Sequence, residues 1–153
     1  MKTVVHATAG TIAFILIASF WISTLVSELF LSLQAIELVK HGILYAMWIL
    51  IPALMITGTS GFYLAKQHSS NLLTNKKRRM PIIALNGLLL LLPAALYLHN
   101  KATSLEFDVY FYGAQCIELI AGAANIVLIG LNIRDGLRLV GRIPLFSSAT
   151  RPR

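Results

Sequence analysis

The chain has 153 residues, of which 57% are hydrophobic and 12% charged, and its mean hydropathy is +0.75. This composition lies outside the range of ordinary soluble domains and predicts an integral membrane protein. The formal net charge of +7 would also suit a nucleic-acid binder. However, the sequence lacks groove-reading motifs and its basic residues flank the apolar stretches, so we predict no nucleic-acid partner.

Four long apolar stretches predict four transmembrane helices. About 20 helical residues cross a hydrocarbon core of about 30 Å, and the short connections make successive helices antiparallel neighbours. We therefore predict an all-α integral membrane fold, an up-down-up-down bundle of four transmembrane helices. The helices are expected at about residues 3–31, 36–66, 81–99 and 109–140 of a single membrane domain, 1–153, which ends in a short basic tail, 141–153.

The distribution of basic residues predicts the orientation of this bundle. All but two of the 13 lysines and arginines fall on one side of a four-span arrangement, while Lys40 and Lys101 fall on the other. Because cytoplasmic loops carry the excess of Lys and Arg, both termini are expected in the cytoplasm, with the chain in a bacterial inner membrane. The first apolar stretch is too long for the apolar part of a signal peptide and is interpreted as an uncleaved span.

The first predicted helix has a face with a histidine at one end, a carboxylate at the other and small residues between them. Its members recur every three or four residues: His6, Gly10, Ala13, Ile17, Trp21, Thr24 and Glu28. Small residues allow helix backbones to approach closely in lipid. We therefore expect this face to turn towards the other helices.

The second and third predicted helices each contain a proline, which removes a backbone hydrogen bond and favours a kink. One face of the second helix carries His41, Tyr45, Trp48, Pro52, Met55 and Thr59, and the third helix contributes Asn86, Pro93 and Tyr97. If the polar faces of the four helices meet, these residues line the interior of the bundle.

The fourth predicted helix has the most informative pattern, a polar face inside an apolar segment. Its members alternate at spacings of three and four residues: Gln115, Glu118, Gly122, Asn125, Ile129, Asn132 and Gly136. Polar groups at membrane depth are costly, so this face is a candidate functional site. The only cysteine, Cys116, lies in the same helix, so no intramolecular disulfide is expected.

The expected helix directions divide these polar residues by depth. The outer cluster contains Glu28, His41, Gln115 and Glu118, and the inner cluster contains Asn86, Asn125 and Asn132. Three hypotheses compete for the outer cluster. Glu28, His41 and Glu118 could bind zinc, manganese or iron. Glu118 and Glu28 could relay a proton or an ion. Alternatively, Glu118 could serve only as an interhelical hydrogen-bonding group, for instance to Thr24.

The four histidines allow a redox alternative, in which haem b is held between histidines of facing helices. His6 would pair with His68 on the inner side and His41 with His99 on the outer side, which resembles, in architecture only, the small dihaem cytochromes of the b561 type. At about 100° per residue, His99 lies roughly 140° around its helix from Asn86, so these two should not share an inward face.

The sequence contains no Ser-His-Asp elbow, phosphate-binding glycine loop or His-Glu-x-x-His motif, so it predicts no hydrolase, transferase or nucleotide-binding reaction. The leading prediction is an accessory, structural or ligand-binding subunit in the lipid bilayer, associated with a membrane-protein partner or with a second copy of the chain. A haem b electron-transfer protein is the first alternative. A proton- or metal-ion-transport component that uses Glu118 and Glu28 is the second.

Overall fold

Long helices make up almost the whole described chain, as expected for a backbone that must satisfy its own hydrogen bonds in lipid. The computed structural model describes residues 2–66 and 71–139. The elements are α1 (Lys2–Phe30), α2 (Leu33–Lys66), α3 (Asn71–Leu85), a π-helical segment (Asn86–Leu91), α4 (Leu92–Thr103) and α5 (Val109–Leu139). His68 and the predicted tail at 141–153 lie outside the described residues.

Four stretches of the described helices are long and apolar enough to cross a membrane: Thr3–Phe30, Leu33–Gly61, Arg78–Thr103 and Val109–Arg138. The prediction of a helical chain with four such stretches is confirmed, since residues 2–66 and 71–139 contain no strand. The third stretch differs in its bounds. Helix α3 begins at Asn71, well before the expected start, so Pro81 lies inside the helix rather than in its first turn.

The four spans pack in a ring. Helix α1 contacts α2 and α5, and α4 contacts the same two helices from the other side. Three groups of buried apolar side chains fill the contacts: Ala13, Ile17, Leu50, Ala53 and Ile129; Ile36, Leu98, Ala102 and Phe111; and Ile43, Met47 and Ala95. Every span therefore contributes to the core, and α5 adjoins both α1 and α4.

The expected inward face of α2 is wrong. His41, Tyr45 and Trp48 are exposed, and 80% of the Trp48 surface is accessible. The buried face of α2 is rotated from it and consists of Ile36, Lys40, Ile43, Met47, Leu50 and Ala53. The reason is physical: helices in lipid associate through close packing and interhelical hydrogen bonds, and aliphatic and small side chains pack more closely than an aromatic stripe.

Pro93 changes the helical geometry of the third span. It has no N–H to donate, and the turns before it are π-helical: the N–H of Leu92 bonds to the carbonyl of Gly87, five residues back. The extra residue in these turns rotates α4 relative to a regular helix. Ala95, Leu98 and Ala102 are consequently the buried residues of α4, and His99 is half-buried beside them.

A close crossing fixes α1 against α5. The Trp21 indole Nε1 donates a hydrogen bond of 2.9 Å to the carbonyl of Leu119. A Cβ added to Gly122 would lie 3.1 Å from the Trp21 Cδ1 atom, so glycine is what leaves room for the ring. The Trp21 face of α1 is therefore directed inward, as the sequence pattern predicts.

Candidate functional site

A buried ion pair lies at the centre of the first candidate site. Lys40 of α2 and Glu118 of α5 are 2.7 Å apart between Nζ and Oε2, and their side chains are 1% and 13% exposed. Gln115 Nε2 donates to the same carboxylate oxygen at 2.9 Å. These three residues, together with Glu28, are called the charged cluster below.

Lys40 is one residue that the sequence reasoning missed, because it was counted only as a charge that sets orientation. At 1.5 Å per residue it lies about 10 Å into α2, and Glu118 lies about 13 Å into α5. Lys40 also shares a face with Ile36 and Ile43, at spacings of four and three residues, and both of these are buried. This spacing was the available signal that Lys40 points into the bundle.

Glu28 of α1 completes the charged cluster without a direct hydrogen bond. It interacts electrostatically with Lys40, which attracts it, and with Glu118, which repels it. Its Oε1 is buried and has no hydrogen-bond partner among the described residues, and the same holds for the Oε1 of Gln115. One ammonium group therefore faces two carboxylates, and two acceptor oxygens nearby retain free lone pairs.

The expected hydrogen bond between Glu118 and Thr24 is not among the contacts of the described chain. Thr24 is buried, and its carbonyl instead accepts a hydrogen bond from the Ser27 hydroxyl at 3.0 Å. Thr24 and Ser27 are both buried, and Glu28 beside them is half-buried. Glu118 accepts its hydrogen bonds from Lys40 of α2 and from Gln115 of its own helix.

Two asparagines form a second site, the amide pair. Asn86 Nδ2 donates to Asn125 Oδ1 at 2.9 Å and to the Ala121 carbonyl at 2.8 Å. Asn125 is 2% exposed. Asn86 is the first residue of the π-helical segment, so the irregular turns adjoin the amide contact with α5. Asn132 is buried farther along α5, and its Oδ1 has no partner in the part of the chain that the structure describes.

A second ion pair joins the beginning of the third span to the end of α5. Arg79 Nη1 lies 2.7 Å from Asp135 Oδ2, and Asp135 is 2% exposed. Arg134 Nη2 approaches the other carboxylate oxygen at 3.3 Å. The sequence reasoning missed this pair because it assigned Arg79 to the orientation signal. Asp135 follows Asn132 by three residues and therefore continues the buried polar face of α5.

The histidines take up different environments. His6 Nδ1 lies 3.0 Å from Ser60 Oγ and 3.1 Å from the carbonyl of Thr57. The rings of His41 and His99 are in contact, with centroids 5.2 Å apart and an interplanar angle of 34°. Axial haem ligands lie on opposite faces of the porphyrin, so these two rings would have to separate to bind one between them. The partner proposed for His6, His68, is outside the described residues.

The three expected metal ligands are not brought together. His41 is on the exposed face of α2, whereas Glu118 and Glu28 belong to the interior. Within residues 2–66 and 71–139, no three His, Cys, Asp or Glu side chains are grouped so that they could hold a metal ion. The interior polar groups therefore make interhelical contacts with one another.

No protein-family model, curated protein or solved structure matches this chain. The contacts of the charged cluster, the amide pair and the Arg79–Asp135 pair are consequently the features that bear on function.

Proposed function

We propose that this chain is an accessory, structural subunit of a membrane assembly, with its four spans in up-down-up-down order. Contacts support this order, because His6 near the start of α1 meets Ser60 near the end of α2, and Arg79 meets Asp135 near the end of α5. The excess of Lys and Arg beside these same helix ends supports cytoplasmic termini in a bacterial inner membrane.

The observation that carries the proposal is the mutual pairing of the interior polar groups. Glu118 is bound by Lys40 and Gln115, Asn125 by Asn86, and Asp135 by Arg79. Except for the contact between Gln115 and Glu118, which lies within α5, each pair links α5 to another span. In lipid, hydrogen bonds of this kind hold helices together. A binding or catalytic site needs groups directed at a ligand, whereas most of these groups are directed at each other.

The exterior supplies the surface for association. On α2, Tyr45, Trp48 and Met55 are 65%, 80% and 66% exposed. Such side chains face lipid in a single copy of the chain, and they offer contact area to another membrane protein or to a second copy. The interior contacts would keep this face in a fixed shape.

The test is the native mass of the chain after mild solubilisation from cells that make it naturally. We expect one reproducible complex that is larger than a single chain. We expect Trp48→Ala to reduce it, whereas the matched variant Ile120→Ala, at a position 73% exposed on α5, leaves it intact. Repeated recovery of single chains, with no cross-linked species in intact membranes, would contradict an accessory role.

A proton- or cation-conducting role is the second candidate, and the unpaired oxygens favour it. Lys40 can neutralise only one of the two carboxylates that face it, and Glu28 Oε1 and Gln115 Oε1 are both buried without a donor in the described chain. A proton or a small cation could neutralise the remaining charge. This makes Glu28 the entry group and Glu118 the group held by Lys40.

Flux through the full chain in sealed vesicles tests this second role. Glu28→Gln and Glu118→Gln should abolish proton-driven flux, while Glu37→Gln on α2 should leave it unchanged. Equal flux in all three variants, or no flux above protein-free vesicles in the unaltered chain, would exclude conduction through the charged cluster.

A further inference from the structure

Two histidines from different helices meet on the outside of the bundle, apart from the interior sites. His41 is an exposed residue of α2, and His99 is a half-buried residue of α4. Their ring centroids are 5.2 Å apart, and the Tyr45 ring packs edge-on against His41 with centroids 4.8 Å apart. Two of the 4 histidines of the chain are thus in ring contact with each other.

One imidazole nitrogen in this pair has no partner. The Nδ1 atom of His99 is buried and makes no hydrogen bond to any described residue. An imidazole nitrogen can donate a proton, accept one or bind a metal ion. A buried polar atom without any of these contacts is destabilising, so the environment of His99 favours a ligand that supplies one.

The charged residues next to the two histidines are already neutralised. Lys40 precedes His41 but is directed inward to Glu118. Lys101 follows two residues after His99 and is bound to Glu106 at 2.7 Å and to Asp108 at 2.9 Å. Neither ammonium group is therefore left as an uncompensated positive charge that would repel a cation from the imidazoles.

The distance between the rings fits shared coordination. Zinc binds imidazole nitrogen at about 2.0–2.1 Å in tetrahedral geometry, which places two ring centroids on the order of 5 Å apart. Imidazole ligands suit zinc, copper and nickel. We propose that His41 and His99 form a two-histidine site for a borderline divalent cation, Zn²⁺ or Cu²⁺, between α2 and α4, with water completing the coordination on the exposed side.

The site shares His41 with the metal site expected from the sequence, but it takes His99 as the second ligand and uses neither Glu28 nor Glu118. It is also independent of the accessory role, since it can be measured on the isolated chain. A cation bound here would join α2 to α4 beside the buried Leu98. It would therefore stabilise the folded state by binding only to that state.

The experiment is a titration of the full chain, purified without a polyhistidine tag and stripped with chelator, with ZnCl₂ in detergent. We expect one saturable site and a melting temperature that rises with the zinc concentration. His41→Gln and His99→Gln should each weaken binding by about tenfold or more, since even the loss of an outer-shell partner costs about that much. Affinity should fall at acidic pH, because protons compete with the metal for imidazole.

His68→Gln is the matched control, since it removes a histidine elsewhere, and it should retain the zinc affinity of the unaltered chain. Electron paramagnetic resonance of the Cu²⁺-loaded unaltered chain needs no variant and should show two nitrogen ligands. Undiminished zinc binding in the double variant His41→Gln/His99→Gln, no saturable binding in the unaltered chain, or a copper spectrum with fewer than two nitrogen ligands would each overturn the proposal.

Discussion

Replacement of Lys40 by methionine is the sharpest test of the interior ion pair. The change keeps a long apolar stem and removes only the ammonium group, which leaves Glu118 buried beside a second carboxylate. At the observed 2.7 Å, the attraction between the charges is about 6 kcal/mol with an effective dielectric constant of 20. Desolvation of both groups offsets much of this attraction, and breaking a buried pair by removing one partner costs about 3–5 kcal/mol.

We expect Lys40→Met to lower the free energy of unfolding by about 3 kcal/mol, at the lower end of that range because Glu118 is 13% exposed. The assay is reversible unfolding in mixed micelles with increasing dodecyl sulfate, followed by helical circular dichroism. The double variant Lys40→Met/Glu118→Gln should be more stable than the sum of the two single changes predicts, by about 0.5–3 kcal/mol.

Lys101→Met is the matched control, because Lys101 also makes ion pairs, with partner side chains that are 58% and 43% exposed. Exposed pairs are screened by solvent, so this change should be much smaller than that of Lys40→Met. Equal effects of Lys40→Met and Lys101→Met, together with strict additivity of the Lys40 and Glu118 changes, would show that Lys40 and Glu118 are not an energetically coupled buried pair.

Three further predictions concern other contacts of α5. Asn125→Ala should lower the unfolding free energy by about 0.5–1.5 kcal/mol, because it removes one of the two acceptors of the Asn86 amide and leaves the Ala121 carbonyl as the other; an unchanged unfolding curve would contradict this. Gly122→Leu should cost about 1–3 kcal/mol by forcing Trp21 from its place, and Trp21 fluorescence should shift in the same variant. Asp108 caps α5 by accepting a hydrogen bond from the Phe111 N–H at 2.8 Å. The pKa of Asp108 is held below its ordinary value, first by the hydrogen bond from the Lys101 ammonium and second by this backbone hydrogen bond. The ionised Asp108 carboxylate therefore stabilises the fold above its ordinary pKa, and this stabilisation is lost as the pH falls through the lowered pKa of the folded state. The difference in melting temperature between Asp108→Asn and the unaltered chain should consequently vanish in strong acid.

The polar face of α5 could be predicted from sequence because helical periodicity alone defines it. Gln115, Asn125 and Asn132 are 3%, 2% and 8% exposed, as their spacing requires if that face turns inward. The partners of these residues were harder to predict. Apolar periodicity does not specify which span lies opposite a given residue, so the pairing of Lys40 with Glu118 and of Arg79 with Asp135 is apparent only in the packed helices.

The burial of α2 and the geometry of the third span have separate physical causes. On α2, the face with His41 and Trp48 carries more polar and aromatic side chains than the face with Lys40, but side-chain packing decides which face is buried. On the third span, the residues do not advance around the helix axis by a constant 100°, because the π-helical segment Asn86–Leu91 before Pro93 inserts an extra residue into the turn. His99 is therefore displaced from the position that a regular helix assigns to it.

The spacing of the polar contacts along α5 explains what the interior charges contribute to a small membrane protein. Apolar helix surfaces repeat with every turn, so two helices held only by such surfaces can slide by about 5.4 Å and still pack. Glu118 and Asp135 bind different spans and lie about 25 Å apart along α5 at 1.5 Å per residue. A slip of one turn would break both ion pairs at once and leave two buried carboxylates uncompensated, which is far more costly than the loss of some apolar contact. The ion pairs thus fix the register of α5 against α2 and α3, and through it the shape of the exposed α2 face that a partner would meet.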